Sequence, residues 1–248
     1  MAQQCIFEYC NFGKGYLKIV FPAKKNKPTQ EVTINLNDYN MVYGVVTDID
    51  SLVLKIKEEA EKAEINSFPS ILLLLRCSQT YKTSMYIPIK NSWQAKNLYN
   101  KDLKEKSENS TYYIVNNSYK RDAGYTFNTY FMHKDIVESF LKIAKQLGTD
   151  VAEALPYGMY LENSNEFTGT VAYFYIRQKA CTMILVSDQN LITSYDFEFE
   201  NEKDIINKFL LVASKYEFEF DRKKITHYGI DSDEPIDLKL GLIKLEEK

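Results

Sequence analysis

The chain has 248 residues, of which 45% are apolar and 14% aromatic. That is enough to bury a real core, and it excludes disorder over the whole length. The 31 basic and 34 acidic side chains nearly cancel, at −3 overall, which argues against a dedicated nucleic-acid binder with its strong basic excess. Four cysteines (Cys5, Cys10, Cys77 and Cys181) stand without CxxC spacing, so neither a zinc site nor a disulfide framework is expected, and buried thiols in a reducing compartment are. The start, Met1–Gln4, lacks the basic residues and apolar core of a signal peptide, and the aliphatic run Ile71–Leu75 is too short to span a bilayer, so a soluble body is expected.

In chain order, Cys5–Cys10 and Tyr16–Phe21 read as strands joined by Asn11-Phe12-Gly13-Lys14-Gly15, whose glycines permit positive φ in a tight turn. The polar loop Lys24–Pro28 leads into a third alternating strand, Glu31–Leu36. Asp50 is placed to cap a helix over Ser51–Glu64, with Leu52, Ile56, Ala60 and Ala63 on one face. Ser70–Arg76, following Pro69, has the continuous apolar character of a buried central strand.

The middle is a different unit. A strand over Met85–Ile89 precedes a helix over Trp93–Lys104, and strands Thr111–Val115 and Tyr125–Met132 flank a turn over Asn116–Gly124. Lys134–Leu147 is an amphipathic helix carrying Ile136, Phe140, Ala144 and Leu147 on its apolar face, stopped at Gly148 and followed by a short strand, Asp150–Ala154. Then the opening pattern returns. Gly169–Ile176, Ala180–Ser187 and Leu191–Phe199 read as three strands, Asn201 caps a helix over Glu202–Tyr216, and Lys224–Gly229 closes the unit. The order βββαβ, an α+β insert, then βββαβ with no Pro/Gly-rich linker describes one multi-lobed α/β body.

Catalytic sets are scarce. His133 and His227 are the only histidines, too few for a multi-histidine metal site, and packing or surface roles are expected for them. A two-metal nuclease on this topology needs converging carboxylates; Glu8 lies on the first strand, where it pairs locally or faces solvent, but Val171–Ile176 carries no acid. The turn Asn11–Gly15 can be an ordinary hairpin or an anion cradle in which backbone N–H groups and Lys14 hold phosphate. Arg177 and Lys179 can hold phosphate without metal or be plain solvated turn charges, and Lys24–Lys27 can touch anionic lipid or water. Tyr112, Tyr113, Tyr119, Tyr125, Phe127, Tyr130 and Phe131 crowd the middle unit, as sheet packing or as a protein-binding surface.

These segments, in this order, resemble the PilM/GspL group of bacterial actin-like proteins, relatives of the cell-division protein FtsA. Asn11–Lys18 is similar to the first phosphate loop of that family, usually Asp-Ile-Gly-Ser-Ser-x-Val-Lys. Ser70–Lys106, with Ile87-Pro88-Ile89, resembles the opening of its inserted 1C subdomain, and Phe131–Ala154 the helix before a G-x-x-V strand there. Thr168–Phe199 resembles the second phosphate hairpin. A Bacteroidetes family of related fold shows a pattern similar to Leu191–Ile230.

The resemblance implies an actin-like fold with subdomain 1A at residues 1–76, a 1C-like insert at 77–167, and a truncated 2A at 168–248, with only Glu217–Lys223 available for subdomain 2B. Family members that bind ATP use an Asp in each phosphate hairpin to place Mg²⁺; here those positions hold Asn11 and Tyr175. Mg²⁺ prefers anionic oxygen ligands, and phosphoryl transfer depends on charge neutralisation, so the implied protein has a vestigial nucleotide loop (Asn11, Gly13, Lys14, Gly15, Arg177, Lys179), no metal and no ATPase activity. The glycine pair of the adenine site is reduced to Tyr228-Gly229-Ile230-Asp231. ATP binding through an atypical Mg site and a cytosolic interaction domain of another pathway stand as alternatives. The family role is scaffolding at the inner face of the cytoplasmic membrane, in type IV pili or type II secretion. The implied partners are a membrane-anchored platform protein, whose extended peptide enters a groove by the insert, and a motor ATPase; self-association is compatible with this role.

Overall fold

The computed structural model describes residues 4–13, 15–23, 28–78, 80–107, 111–164, 171–177, 179–187 and 190–216, with the backbone alone for Lys106, Ser107, Glu162, Ser164, Val171, Arg177, Asn190 and Leu191. The basic loop Lys24–Lys27, the closing strand expected at Lys224–Gly229, His227 and the segment Glu217–Lys223 lie outside the described residues.

The first sheet contains β1 (Cys5–Cys10), β2 (Tyr16–Phe21), β3 (Gln30–Asn35), β6 (Ile71–Arg76) and β10 (Val151–Pro156) in the order β10-β6-β1-β2-β3. β1, β2 and β3 form an antiparallel meander, while β6 runs parallel to both β1 and β10. The composition of β6, Ile-Leu-Leu-Leu-Leu-Arg, explains its central place: every residue is buried, because both faces of the sheet are covered. Each fully buried Leu or Ile there contributes about 1.5–3 kcal/mol relative to exposure. One face takes α1 (Ile49–Lys62) and α3 (Lys134–Gln146), with Leu52, Ile56, Ile136, Phe140 and Ile143 in a common core with Phe7, Ile19 and Leu73.

Asp48, not Asp50, caps α1: its carboxylate accepts from the Ser51 N–H at 3.3 Å, while Asp50 sits in the first helical turn and accepts from Gln146 Nε2 at 2.9 Å. The small hairpin β4 (Met41–Val42) and β5 (Val45–Val46) precedes the helix and was not expected from the sequence. The resemblance groups α3 and β10 with the insert at 77–167, whereas in the structure they complete the first sheet and its core.

A separate sheet, β7-β9-β8, is made by β7 (Tyr81–Ile87), β8 (Tyr112–Arg121) and β9 (Gly124–His133), with α2 (Ser92–Ser107) packed on it through Ala95 and Tyr99. The turn expected over Asn116–Gly124 is a tight connection at Asp122-Ala123. Asn116, Asn117 and Ser118, which read as turn formers, continue β8 opposite Thr129, Asn128 and Phe127. They do so because the outer strand tolerates polar residues once β9 supplies its ladder. A Cβ on Gly124 would lie 2.1 Å from the Ile87 carbonyl oxygen, so only glycine fits beneath β7 here.

The repeated unit is visible as β11 (Val171–Arg177), β12 (Ala180–Ser187) and β13 (Asn190–Glu198), an antiparallel meander like β1-β2-β3, followed by α5 (Glu202–Lys215). Phe174, Met183, Leu185, Phe197, Ile205 and Phe209 form its core. Between the two meanders lies α4 (Tyr157–Ser164), which the sequence reading missed. Met159 packs with Leu72 and Leu74 of the first sheet, and Leu161 with Ile184 and Val186 of the second. Gly158 permits this approach, since a Cβ there would lie 2.8 Å from Ser194 Oγ.

Candidate functional site

The two turns singled out in the sequence meet. Gly13 and Gly15 hold φ of +59° and +66°, the left-handed conformations that glycine adopts without strain. The Gly15 N–H donates to the Phe12 carbonyl at 3.0 Å, and the Leu36 N–H donates to the Gly15 carbonyl at 3.2 Å, which fixes the turn against the end of β3. A Cβ added to Gly13 would stand 3.2 Å from Lys179 Cβ, so the β1–β2 turn lies directly on the β11–β12 turn. Beneath this contact Cys10, Phe12, Tyr16 and Ala180 form a buried apolar cluster. Asn11, Gly13, Gly15 and Lys179 are therefore brought together; Lys14 and the Arg177 side chain lie outside the described residues.

Asn11 and Lys179 at this junction are engaged with the protein, and Glu198 Oε1 stands 3.6 Å from where a Cβ on Gly13 would lie. Asn11 Oδ1 accepts from the Ser78 N–H at 3.0 Å and the Asn11 N–H donates to the Arg76 carbonyl at 3.2 Å, so the residue braces the exit of β6. Lys179 Nζ donates to the Glu200 carbonyl at 2.8 Å and lies 5.9 Å from the centre of the Phe199 ring. Tyr175, at the second position where the resemblance implies an aspartate, offers its backbone carbonyl to Arg76.

Arg76 is the residue that the sequence reading did not single out. It ends β6, is 1% exposed, and is the largest fully buried side chain described. Its Nη1 donates to Tyr16 Oη at 3.1 Å and meets Glu8 Oε1 at 3.4 Å; its Nη2 donates to the Tyr175 carbonyl at 2.9 Å. Tyr16 Oη donates in turn to Glu8 Oε1 at 2.7 Å, and the guanidinium lies 4.7 Å from the Tyr157 ring centre. Arg76 Nε is buried without a hydrogen-bond partner. Burial opposes the charge, yet Tyr16 and Glu8 hold the guanidinium pKa above its ordinary value. Glu8 is thus not solvated: it pairs locally with Tyr16, eight residues on, and is also matched by an arginine 68 residues away. The network ties β1, β2, β6, β11 and α4 into one joint.

Nearby chemistry is quiet. Burial pushes the Cys10 thiol up to about 11 against the opposing pull of Arg76, and pushes Cys5 up to about 12, so neither is an activated thiolate at neutral pH. His133 stands at the start of α3, edge-on to Tyr112 and 3.7 Å from Asp135. Among the described residues no cluster of three metal-ligating side chains forms, and no helix is long and apolar enough to cross a membrane.

The aromatic residues of the middle unit divide between packing and surface. Phe127, Tyr130 and Phe131 are buried, and Phe131 stacks on Tyr81 at 4.5 Å, whereas Tyr113 is exposed. Beside this sheet opens a cavity of about 470 Å³ bounded by β7, β9, β13 and α5.

No protein-family model and no curated protein matches the chain. Solved structures do. The PilM-PilN type IV pilus biogenesis complex superposes with a TM-score of 0.61 at 12% identity, over 88% of this chain and 67% of that one. The cytoplasmic domain of EpsL, an inner-membrane component of the type II secretion system of Vibrio cholerae, gives 0.54 at 13% identity, over 98% and 93%. A Bacteroides thetaiotaomicron protein with an actin-like ATPase fold and unknown function gives 0.51 at 12% identity, over 99% and 88%. Together with the repeated meanders and their covering helices, these similarities establish that the chain has the actin-like ATPase fold.

Proposed function

We propose that this protein is a non-catalytic actin-like scaffold of a type IV pilus or type II secretion platform, holding the cytoplasmic tail of a membrane-anchored partner at the inner face of the cytoplasmic membrane. The observation that carries the proposal is the closed joint between the two hairpin turns. A nucleotide held between phosphate hairpins needs space and unengaged donors there. Here Gly13 lies on Lys179, Phe12 and Ala180 fill the floor, and the Arg76 guanidinium is committed to Glu8, Tyr16 and the Tyr175 carbonyl. Asn11 replaces a carboxylate with an amide and spends its oxygen on the Ser78 N–H. Phosphoryl transfer rests on positioning and on cation-assisted charge neutralisation, and among the described residues Asn11 and Tyr175 put no carboxylate at the two hairpin positions. The similarity to PilM in its complex with PilN and to the EpsL cytoplasmic domain supports the assignment to such a platform.

Titration of the purified chain with MgATP in a calorimeter tests this reading. The expected result is no binding heat at hundred-micromolar protein, whereas binding in the micromolar range overturns the vestigial nucleotide site on which this reading rests.

A further inference from the structure

The cavity between β7, β9, β13 and α5 has the character of a built groove. Four consecutive β13 residues, Thr193 to Asp196, line it, and so do three consecutive residues leading into and along β7, Thr80 to Lys82. Side chains of a strand alternate between faces, so a run of successive residues places the groove alongside the strand, with Thr193 and Ser194 buried there and Tyr195 exposed. Both strands are terminal in their sheets among the described residues. Four large apolar side chains left 37% to 65% exposed, Tyr81, Tyr195, Leu211 and Tyr216, converge on this one groove. Scattered exposed apolar residues need no explanation, but a convergent set with a concave floor does.

Among the described lining residues three are lysines, Lys82, Lys208 and Lys215, and one is an acid. Lys208 and Lys215 project from α5 seven residues apart, on the same helix face as Leu211. Lys208 lies 5.3 Å from the Tyr195 ring centre, Lys215 lies 5.4 Å from that of Tyr216, and Lys82 lies 5.1 Å from that of Tyr130. Neither Lys208 nor Lys215 pairs with a carboxylate among the described residues. Among the described lining residues the one acid, Asp196, accepts from Thr182 Oγ1 behind it. Aromatic walls, strand edges and a lysine rim fit an extended segment that offers main-chain hydrogen bonds, apolar side chains and negative charge.

We infer that this groove binds an extended acidic peptide of a partner protein, with apolar residues alternating with Glu or Asp, its main chain along β13 and its carboxylates met by Lys208 and Lys215. The inference rests on the scaffold reading and specifies the chemistry of its partner. The probe is a fluorescein-labelled peptide of about eight residues alternating Leu and Glu, long enough to follow a strand edge. Its control carries Lys in place of Glu. Fluorescence anisotropy with the full chain is expected to give saturable binding of the acidic peptide, weakened by salt and absent for the basic control. Lys208→Glu with Lys215→Glu is expected to weaken it at least about tenfold. Lys215→Glu alone, at an exposed site that does not endanger folding, is expected to weaken it in the same direction. Absence of saturable binding, equal binding of the basic control, or affinity unchanged in both variants overturns the proposal. The MgATP titration separates the two readings. A chain that binds peptide and MgATP keeps the groove and loses the vestigial nucleotide site; one that binds neither loses the groove and keeps the vestigial site.

Discussion

Arg76 and Glu8 are both buried, 1% and 6% exposed, and meet at 3.4 Å. A buried guanidinium and a buried carboxylate each lose several kcal/mol of hydration, and their attraction together with the bonds to Tyr16 and the Tyr175 carbonyl offsets that loss. Removing one partner leaves the other buried and uncompensated. Arg76→Met is therefore expected to cost about 3–5 kcal/mol in urea unfolding. The double replacement of Glu8→Leu and Arg76→Met is expected to cost less than Arg76→Met alone, because it removes the stranded charge. A loss below about 1 kcal/mol for Arg76→Met, the level of an exposed pair, contradicts the role given to the joint. None of this is legible in the sequence. Arg76 reads as the polar end of an apolar strand, and its partners stand 60, 68 and 99 residues away.

At the scale of elements, the legible parts are those whose signals are local. The α5 start shows this best. Asn201 Oδ1 accepts from the Lys203 N–H at 3.0 Å, and the Asp204 carboxylate accepts from the N–H groups of Glu200 and Asn201 at 2.9 and 3.1 Å, closing a capping box. Asn201→Ala is expected to lower stability by about 1 kcal/mol, and Asn201→Asp to retain most of it, as read from the shift in urea midpoint at unchanged slope. An Ala variant as stable as wild type removes the cap from the account. The strands β1, β2, β6 and β12 and the helices α3 and α5 were readable for the same reason: periodicity, caps and breakers lie within a few residues. By contrast, α4 opens with Tyr157-Gly158 and has no apolar period of its own. It is helical because both meanders close on it, through Met159 on one side and Leu161 on the other. The Asn-Asn-Ser run of β8 misled for a related reason, since pairing with β9 overrides its turn propensity. Of the candidate site, the turn glycines were legible from their conformational demand. The groove was not, because separate segments build it and none carries the pattern alone.

For the molecule as a whole, the question is whether the two meanders move as one. Each has its own core, one around Phe7, Leu73 and Phe140, the other around Phe174, Met183 and Phe209. Among the described residues the two meanders are joined by the Phe12 cluster with Ala180, the Arg76 network and α4. A scaffold that transmits position between partners needs that joint to be stiff, whereas an enzyme that opens and closes on nucleotide needs it to yield. Phe12 is buried in the joint but is absent from either main core, so it tests the coupling with little direct effect on each half. The wild-type chain is expected to unfold in one calorimetric transition. Phe12→Ala, which typically costs about 3–5 kcal/mol at a buried site, is expected to split that transition in two, with one half melting near the wild-type temperature. A wild-type endotherm already divided, or a Phe12→Ala endotherm displaced as a single peak, means that the halves are coupled elsewhere or not at all. A clean split places the coupling at the junction of the two hairpin turns, with packed side chains serving as the bridge between the halves.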